Sequence, residues 1–301
     1  MRWSLADGKL ANLQSPARTG NIHFMTKRAR FARIALALSL AMLAWFAIAM
    51  FGAKLGMWRP LTAFATLTMV PALPLLAITG LLGVAALAAS VVRAPRTGWL
   101  AALIALAIPL AGFACLGSLK AKADSVPLIY DVTTDTADPP TFSQAMQSKR
   151  SVYGANALNP FDVPLGQFDK WKGNAAVADK TAAELIRQGY PQLRPLLTQA
   201  EPARALAAAR QAMETRGFHD IQVDEKAGRV EGTDEVFWYS FLDDVVVRVR
   251  PGADGGSVID VRSTSRVGTS DLGVNARRAG DVLQGIEDIL ADPAMQVEVA
   301  Q

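Results

Sequence analysis

The chain has 301 residues, 51% of them hydrophobic, and a formal net charge of +4. One cysteine, Cys115, and two histidines are too few ligands for a zinc site of the usual kind. Residues 1–123 carry 13 Lys/Arg against one acid, Asp7, whereas residues 124–301 carry 18 Lys/Arg against 26 Asp/Glu. The basic balance therefore belongs to one half alone, where it flanks apolar segments, and it does not point to nucleic acid.

Residues 1–24 have no apolar core of signal-peptide type. Met25 is followed by Thr26-Lys27-Arg28-Ala29-Arg30 and then by apolar sequence, so residues 1–30 are expected to form a basic, disordered tail, with Met1 and Met25 both open as start sites. Three apolar stretches reach the roughly 20 residues that a bilayer requires. Transmembrane helices are expected over about 31–53, 64–91 and 99–119. Lys54 and Arg59, Arg93 and Arg96, and Lys120 and Lys122 bound them, and Trp58 and Trp99 stand at their edges, where indole rings favour the interface. The second stretch is long for one straight crossing, and Pro71 and Pro74 are expected to kink it. Gly80 and Gly83 are expected to admit a neighbouring helix. No ionisable residue stands at mid-membrane depth, which argues against a pump or transporter. The tail and the Arg93–Arg96 loop are the more basic flanks. By the positive-inside rule the N-terminus is then cytoplasmic and the C-terminal domain, residues 124–301, is exported.

That domain opens irregularly. Asp138-Pro139-Pro140, Asn159-Pro160 and Val163-Pro164-Leu165-Gly166 punctuate the sequence up to about Lys180 as loops. A helix is expected over Ala175–Gln188 and a second after Thr198, which precedes Glu201 by the capping-box interval, with Pro202 in its first turn and Gly217 past its end. Strands are expected around Ile221 and Val223, over Val230–Phe241 with its aromatic run, over Asp244–Arg250 and over Ser257–Val267. The last two alternate: Val245, Val247, Val249, Ile259 and Val261 share one face, and Asp244, Arg248, Arg250, Asp260, Arg262 and Arg266 share the other. Such a pattern predicts an antiparallel sheet with one buried and one solvated face. A final helix begins near Ser270 or Asp271 with an apolar stripe through Val282 and Ile286. The expected fold class is α+β: an antiparallel sheet of about four strands with flanking helices, preceded by a three-helix transmembrane region.

The densest polar stretch runs from Asp243 to Arg278. Two readings of it stand side by side: a solvated face of ion pairs, or an arginine-lined groove for an anion. In the second, Arg266, the turn at Gly268 and the start of the last helix converge, and the candidate ligand-binding residues are Asp244, Arg248, Arg262, Arg266, Asp271 and Asn275. Asp131, Asp135 and Asp138 match no known calcium loop. No catalytic motif of the hydrolase, zincin or phosphate-loop kinds occurs. No catalytic residue, metal or cofactor is expected.

The runs Asp243-Asp244-Val-Val-Val-Arg248-Val and Asp260-Val-Arg-Ser263-Thr-Ser265-Arg266-Val-Gly268-Thr-Ser-Asp271-Leu-Gly273-Val-Asn275-Ala resemble the signature of the DUF1499 family. Tyr130-Asp131 through Asp138-Pro139-Pro140-Thr-Phe142 resembles its entry motif, and Tyr190-Pro191 fits as well. The resemblance implies a membrane-associated setting and supplies no reaction. The expected protein is a multi-pass inner-membrane protein whose periplasmic domain binds an anionic lipid, a glycan or an envelope protein. An enzyme acting on a lipid or cell-wall substrate is the alternative.

Overall fold

A computed structural model describes residues 26–92, 94 and 96–292; the tail through residue 25, with His23, and Arg93 lie outside the described residues. Helix α1 spans Lys27–Lys54, α2 Val70–Val91 and α3 Trp99–Ser125. A π-helical stretch, Thr62–Met69, leads into α2 without a break. Among the described residues, three helices (the first, the combined Thr62–Val91 and the third) are long and apolar enough to cross a membrane. The first begins at Lys27 and the third runs past Leu119 to Ser125, each overrunning the apolar stretch by several residues.

Small residues set the packing of this bundle. Ala32, Ala35, Ala86, Ala102 and Ala105 form its interior. At Gly83 a Cβ would lie 2.8 Å from the Leu106 Cα, so α2 and α3 meet through a bare backbone there. At Gly80 the same atom would find Pro109 at an ordinary 3.8 Å.

Prolines inside apolar helices strand the carbonyl four residues back, and lipid offers no donor to replace the lost bond. Helix α1 replaces two of them. Pro71 strands Leu67, whose carbonyl accepts from the Trp45 indole at 2.8 Å. Pro109 strands Ala105, whose carbonyl accepts from the Ser39 hydroxyl at 2.9 Å. The widened π turns just before Pro71 are where the backbone absorbs the ring.

The domain that follows is built on a six-stranded antiparallel sheet: β1 Asp131–Thr133, β2 Leu196–Thr198, β3 His219–Asp224, β4 Arg229–Glu235, β5 Leu242–Pro251 and β6 Ser257–Ser265. The order is β1-β6-β5-β4-β3, with β2 also on the free edge of β6, beside β1. The two strands beyond the four expected are three-residue edge pieces, too short for any periodicity to reveal. Helices α6 (Pro202–Thr215) and α7 (Val274–Ala291) cover one face, over Val230, Val245, Val247, Val249, Ile259 and Val261. Each such side chain contributes about 1.5–3 kcal/mol by leaving water.

The other face is not solvated, contrary to the alternation argument. Helix α4 (Gln144–Tyr153), inside the stretch expected to be irregular, lies over it with the flanking loops. Ser143 starts α4 by accepting from the Met146 N–H, and Gly154 ends it in the left-handed region. Phe142 and Met146 pack on Val246, while Asp244, Asp260, Arg262 and Arg266 are buried.

Three further expectations need correction. The capping box belongs to Thr181 and Glu184 at the start of α5 (Ala182–Gly189), shorter than the helix expected there. Thr198 instead sits in β2, and Glu201 precedes α6 with no side-chain cap bond. The aromatic run expected as strand leaves the sheet after Glu235 and forms the β4–β5 tip, because its rings find partners in the apolar helices.

Candidate functional site

The six candidate residues fall into separate places. Asp244 lies under α4 and is the acceptor for two buried guanidiniums. Arg150 Nη1 approaches it at 2.6 Å, and Arg266 grips both oxygens, with Nη2 at 2.7 Å and Nε at 3.0 and 3.1 Å. The Thr233 hydroxyl adds a third donor at 2.9 Å. Burial alone would lower the Arg266 pKa, but its bonds and charge attraction to Asp244 prevail and hold it raised. Arg150 also donates to the Asn156 carbonyl, so one carboxylate ties α4 and its exit loop to the sheet.

Arg248 and Asp260 are direct cross-strand neighbours, joined at 2.9 Å. Asp138 and Asp135 arrive from the loop above: Arg248 reaches Asp138 at 3.0 Å and Arg250 reaches Asp135 at 3.2 Å. Arg262 makes a two-pronged pair with Asp131, at 2.7 and 3.0 Å, and lies over the Phe161 ring. The entry-motif aspartates are thus partners of the sheet arginines. Ser143 closes the lattice by hydrogen-bonding Glu231 through both its backbone and its hydroxyl.

Asn275 and Asp271 belong to the opposite face. Asn275 joins Ser263, Ser265 and the Tyr130 carbonyl. Arg278 continues this cluster to Asp243 at 2.8 Å and Asp234 at 2.7 Å. Burial pushes the Asp243 carboxyl up, offset in part by Arg278. Asp271 does not head α7; Gly273 does, at φ +79°, and the Asp271 carboxylate accepts from the Gly273 and Asn275 N–H groups behind it. Burial likewise raises Asp271 against those two bonds. The Gly268 carbonyl is taken by the Asn156 amide. Asp244 and Arg266 pair directly on one face, which Arg248 shares, while Asn275 lies across the sheet from them, and each of these groups has an internal partner.

A cleft of about 520 Å³ lies elsewhere, between residues 190–196 and the outer side of α7. Gly273, Ala276 and Gly280 keep its floor open, with Arg194, Arg277 and Gln284 around it. Tyr190 lines it, and its buried hydroxyl has no hydrogen-bond partner. Burial, with the nearby Asp271 charge, pushes the phenol up to about 12, so at neutral pH it holds its proton as an unused donor. That hydroxyl and the Lys122 Nζ stand 3.2 and 3.9 Å from where a Gly273 Cβ would sit. The cleft therefore opens beside the last turn of α3, where the chain leaves its apolar region. In the sequence Tyr190 and Gly273 belong to the runs that carry the family resemblance, and no site is expected at them. The signal available was a tyrosine next to a helix-stopping proline and a glycine at a helix start.

The family model for DUF1499, described as a protein of unknown function, matches residues 131–286, and the chain belongs to that family. The match opens at the aspartate that pairs with Arg262 and closes within α7, leaving the three apolar helices outside it. None of the curated proteins compared matches the chain.

Proposed function

We propose that this is a membrane-anchored envelope protein. Three spans hold an acidic domain on the extracytoplasmic side of the inner membrane, and that domain binds an anionic group in the cleft beside α7. The unpartnered Tyr190 hydroxyl carries the reading. A buried hydroxyl without a partner costs about 1–3 kcal/mol, which an acceptor oxygen recovers. The phenol is neutral and can donate here, while Arg194 and Arg277 bring positive charge to a lining that also holds Asp281 and Glu287, and the Lys122 amine stands nearby beside Gly273. Asp271 competes little for the same ligand, because both its oxygens accept backbone N–H groups. The sheet arginines take no part, each being neutralised inside the domain.

The test uses the full chain in neutral detergent with dihexanoyl phosphatidylglycerol and dihexanoyl phosphatidylcholine as probes. The anionic lipid alone should raise the melting temperature, and the Tyr190→Phe, Arg277→Gln double variant should lose that rise. An equal rise in the variant, or none in the parent, removes the proposal. Sidedness is tested separately by a reporter active only in an oxidising compartment, fused after residue 301; a silent fusion reverses it.

A further inference from the structure

We infer that the β4–β5 tip is a second membrane contact, with Phe237 and Trp238 lying in the interfacial layer of the bilayer. The inference rests on reading the three apolar helices as membrane spans. Residues 236–241 read Val-Phe-Trp-Tyr-Ser-Phe, an apolar composition for a hairpin connection, where glycine and polar residues are usual. The Val236 N–H donates to the Phe241 carbonyl at 2.8 Å and closes the loop.

The tip is held against the helices, not merely near them. The Tyr239 hydroxyl meets the Thr68 hydroxyl at 2.9 Å, more than one turn inside the second apolar helix. Phe64 receives Tyr239 and Phe241 edge-on, at centroid distances of 5.4 and 5.9 Å. Lys54, the last residue of α1, donates to the Phe237 carbonyl at 3.1 Å and sits 4.7 Å from the centre of its ring. Tyr239 and Ser240 both have φ in the left-handed region, +62° and +54°. Non-glycine residues adopt that conformation at a cost of about 1–2 kcal/mol each, so the docking contacts hold the loop in a shape it would not choose alone.

These contacts fix the depth of two aromatic rings that touch little protein. Phe237 is 58% exposed and Trp238 59%, packed edge-to-face on each other at 4.9 Å. Phe51, Leu55, Met57 and Leu61, which flank Lys54 in the sequence, are exposed apolar side chains as well. In water, such a surface would be a liability. At the level where a lysine ends one span and a threonine lies inside the next, it matches the aromatic belt of membrane proteins.

The experiment uses the full chain in phosphatidylcholine–phosphatidylglycerol nanodiscs, in a Cys115→Ser background. Single cysteines replace Phe237 or Trp238 and carry a spin label. Labels at Leu81, in the middle of α2, and at Val152, 91% exposed on α4, mark lipid and water. Accessibility to oxygen and to a neutral nickel chelate is measured at each site. Oxygen-favoured values at 237 and 238, several-fold above Val152 in ratio, support the inference, and the two positions serve as replicate variants should one fail to fold. Nickel-favoured values like those at Val152 overturn it. Protection from both reagents overturns it too, because a protein would then cover the tip. A water-accessible label at Leu81 defeats the spanning premise, an outcome separate from the other two.

Discussion

Replacing Asp244 by asparagine isolates what the buried charges do. The change keeps the shape and one carbonyl oxygen, and it deprives Arg150 and Arg266 of their shared counter-charge while turning an amide N–H₂ toward one of them. Both arginines are buried, and among the described residues neither has another carboxylate within salt-bridge distance. Breaking one buried pair costs about 3–5 kcal/mol through the charge left behind. Two guanidiniums on one carboxylate place Asp244→Asn at the upper end of that range or beyond it. A domain stable by about 5–15 kcal/mol then loses a third or more of its margin. The control is Asp138→Asn, whose side chain is 67% exposed and shares Arg248 and Arg250 with Asp135 and Asp260. Solvent screening limits that pair to about 0–1 kcal/mol. Urea denaturation of the full chain in detergent, followed by the near-ultraviolet ellipticity of the stacked Tyr130–Trp171 pair, reads both variants. Equal midpoints for the two would refute the reasoning, since burial, and not the number of charges, is what separates them.

Ser39→Ala should cost about 1 kcal/mol in detergent by orphaning the Ala105 carbonyl, and much less when Pro109→Ala restores the missing backbone donor; additive losses in the double-mutant cycle would contradict the assigned role. Alkaline titration supplies another prediction. Burial raises Tyr190 from 10.0 to about 12, and it raises Tyr130 and Tyr153 as well. Between the unfolded and folded values the native state keeps protons that the unfolded chain has released. Stability should therefore be intact below pH 10 and fall as the pH rises toward 12, with a shallower fall for Tyr190→Phe.

Legibility followed the length of the pattern. Spans of twenty or more apolar residues, the alternation in β5 and β6 and the stripe of α7 all repeat often enough to be read from sequence. The three-residue strands β1 and β2 do not. The polar face misled for a different reason. Alternation says which residues share a face; it does not say whether that face meets water. Here Arg150, Asp131 and Asp138 come from segments 94, 131 and 110 residues away from Asp244, Arg262 and Arg248, and only tertiary structure brings those charges together. The aromatic tip was lost to propensity. Phe, Trp and Tyr favour strands because strands half-bury them, and here Phe64 and Thr68 of the second apolar helix receive Tyr239 and Phe241 instead, while Phe237 and Trp238 stay exposed.

The cleft and the tip bear on one another. A domain held only through α3 hangs from a single helix end, and its attitude to the membrane is whatever that joint permits. A second contact at the β4–β5 tip removes most of that freedom, because α3 leads into β1 at one edge of the sheet while the tip ends the β4–β5 hairpin. The ion lattice matters at this point: Asp244, Arg150 and Arg266 make α4 and the sheet one body, so that an anchor at the tip is felt at α7. With both contacts made, the Tyr190 hydroxyl and the Lys122 amine stand at a set height beside the last turn of α3. Under the proposed spanning arrangement that height is the headgroup layer, where lipid phosphate is concentrated, whereas a free anion has no reason to prefer it. Cutting the tip loose by Tyr239→Gly together with Phe241→Ser should therefore weaken capture of bilayer phosphatidylglycerol while leaving the response to the soluble dihexanoyl lipid unchanged. If both responses fall together, the tip supports the fold of the cleft and not its placement.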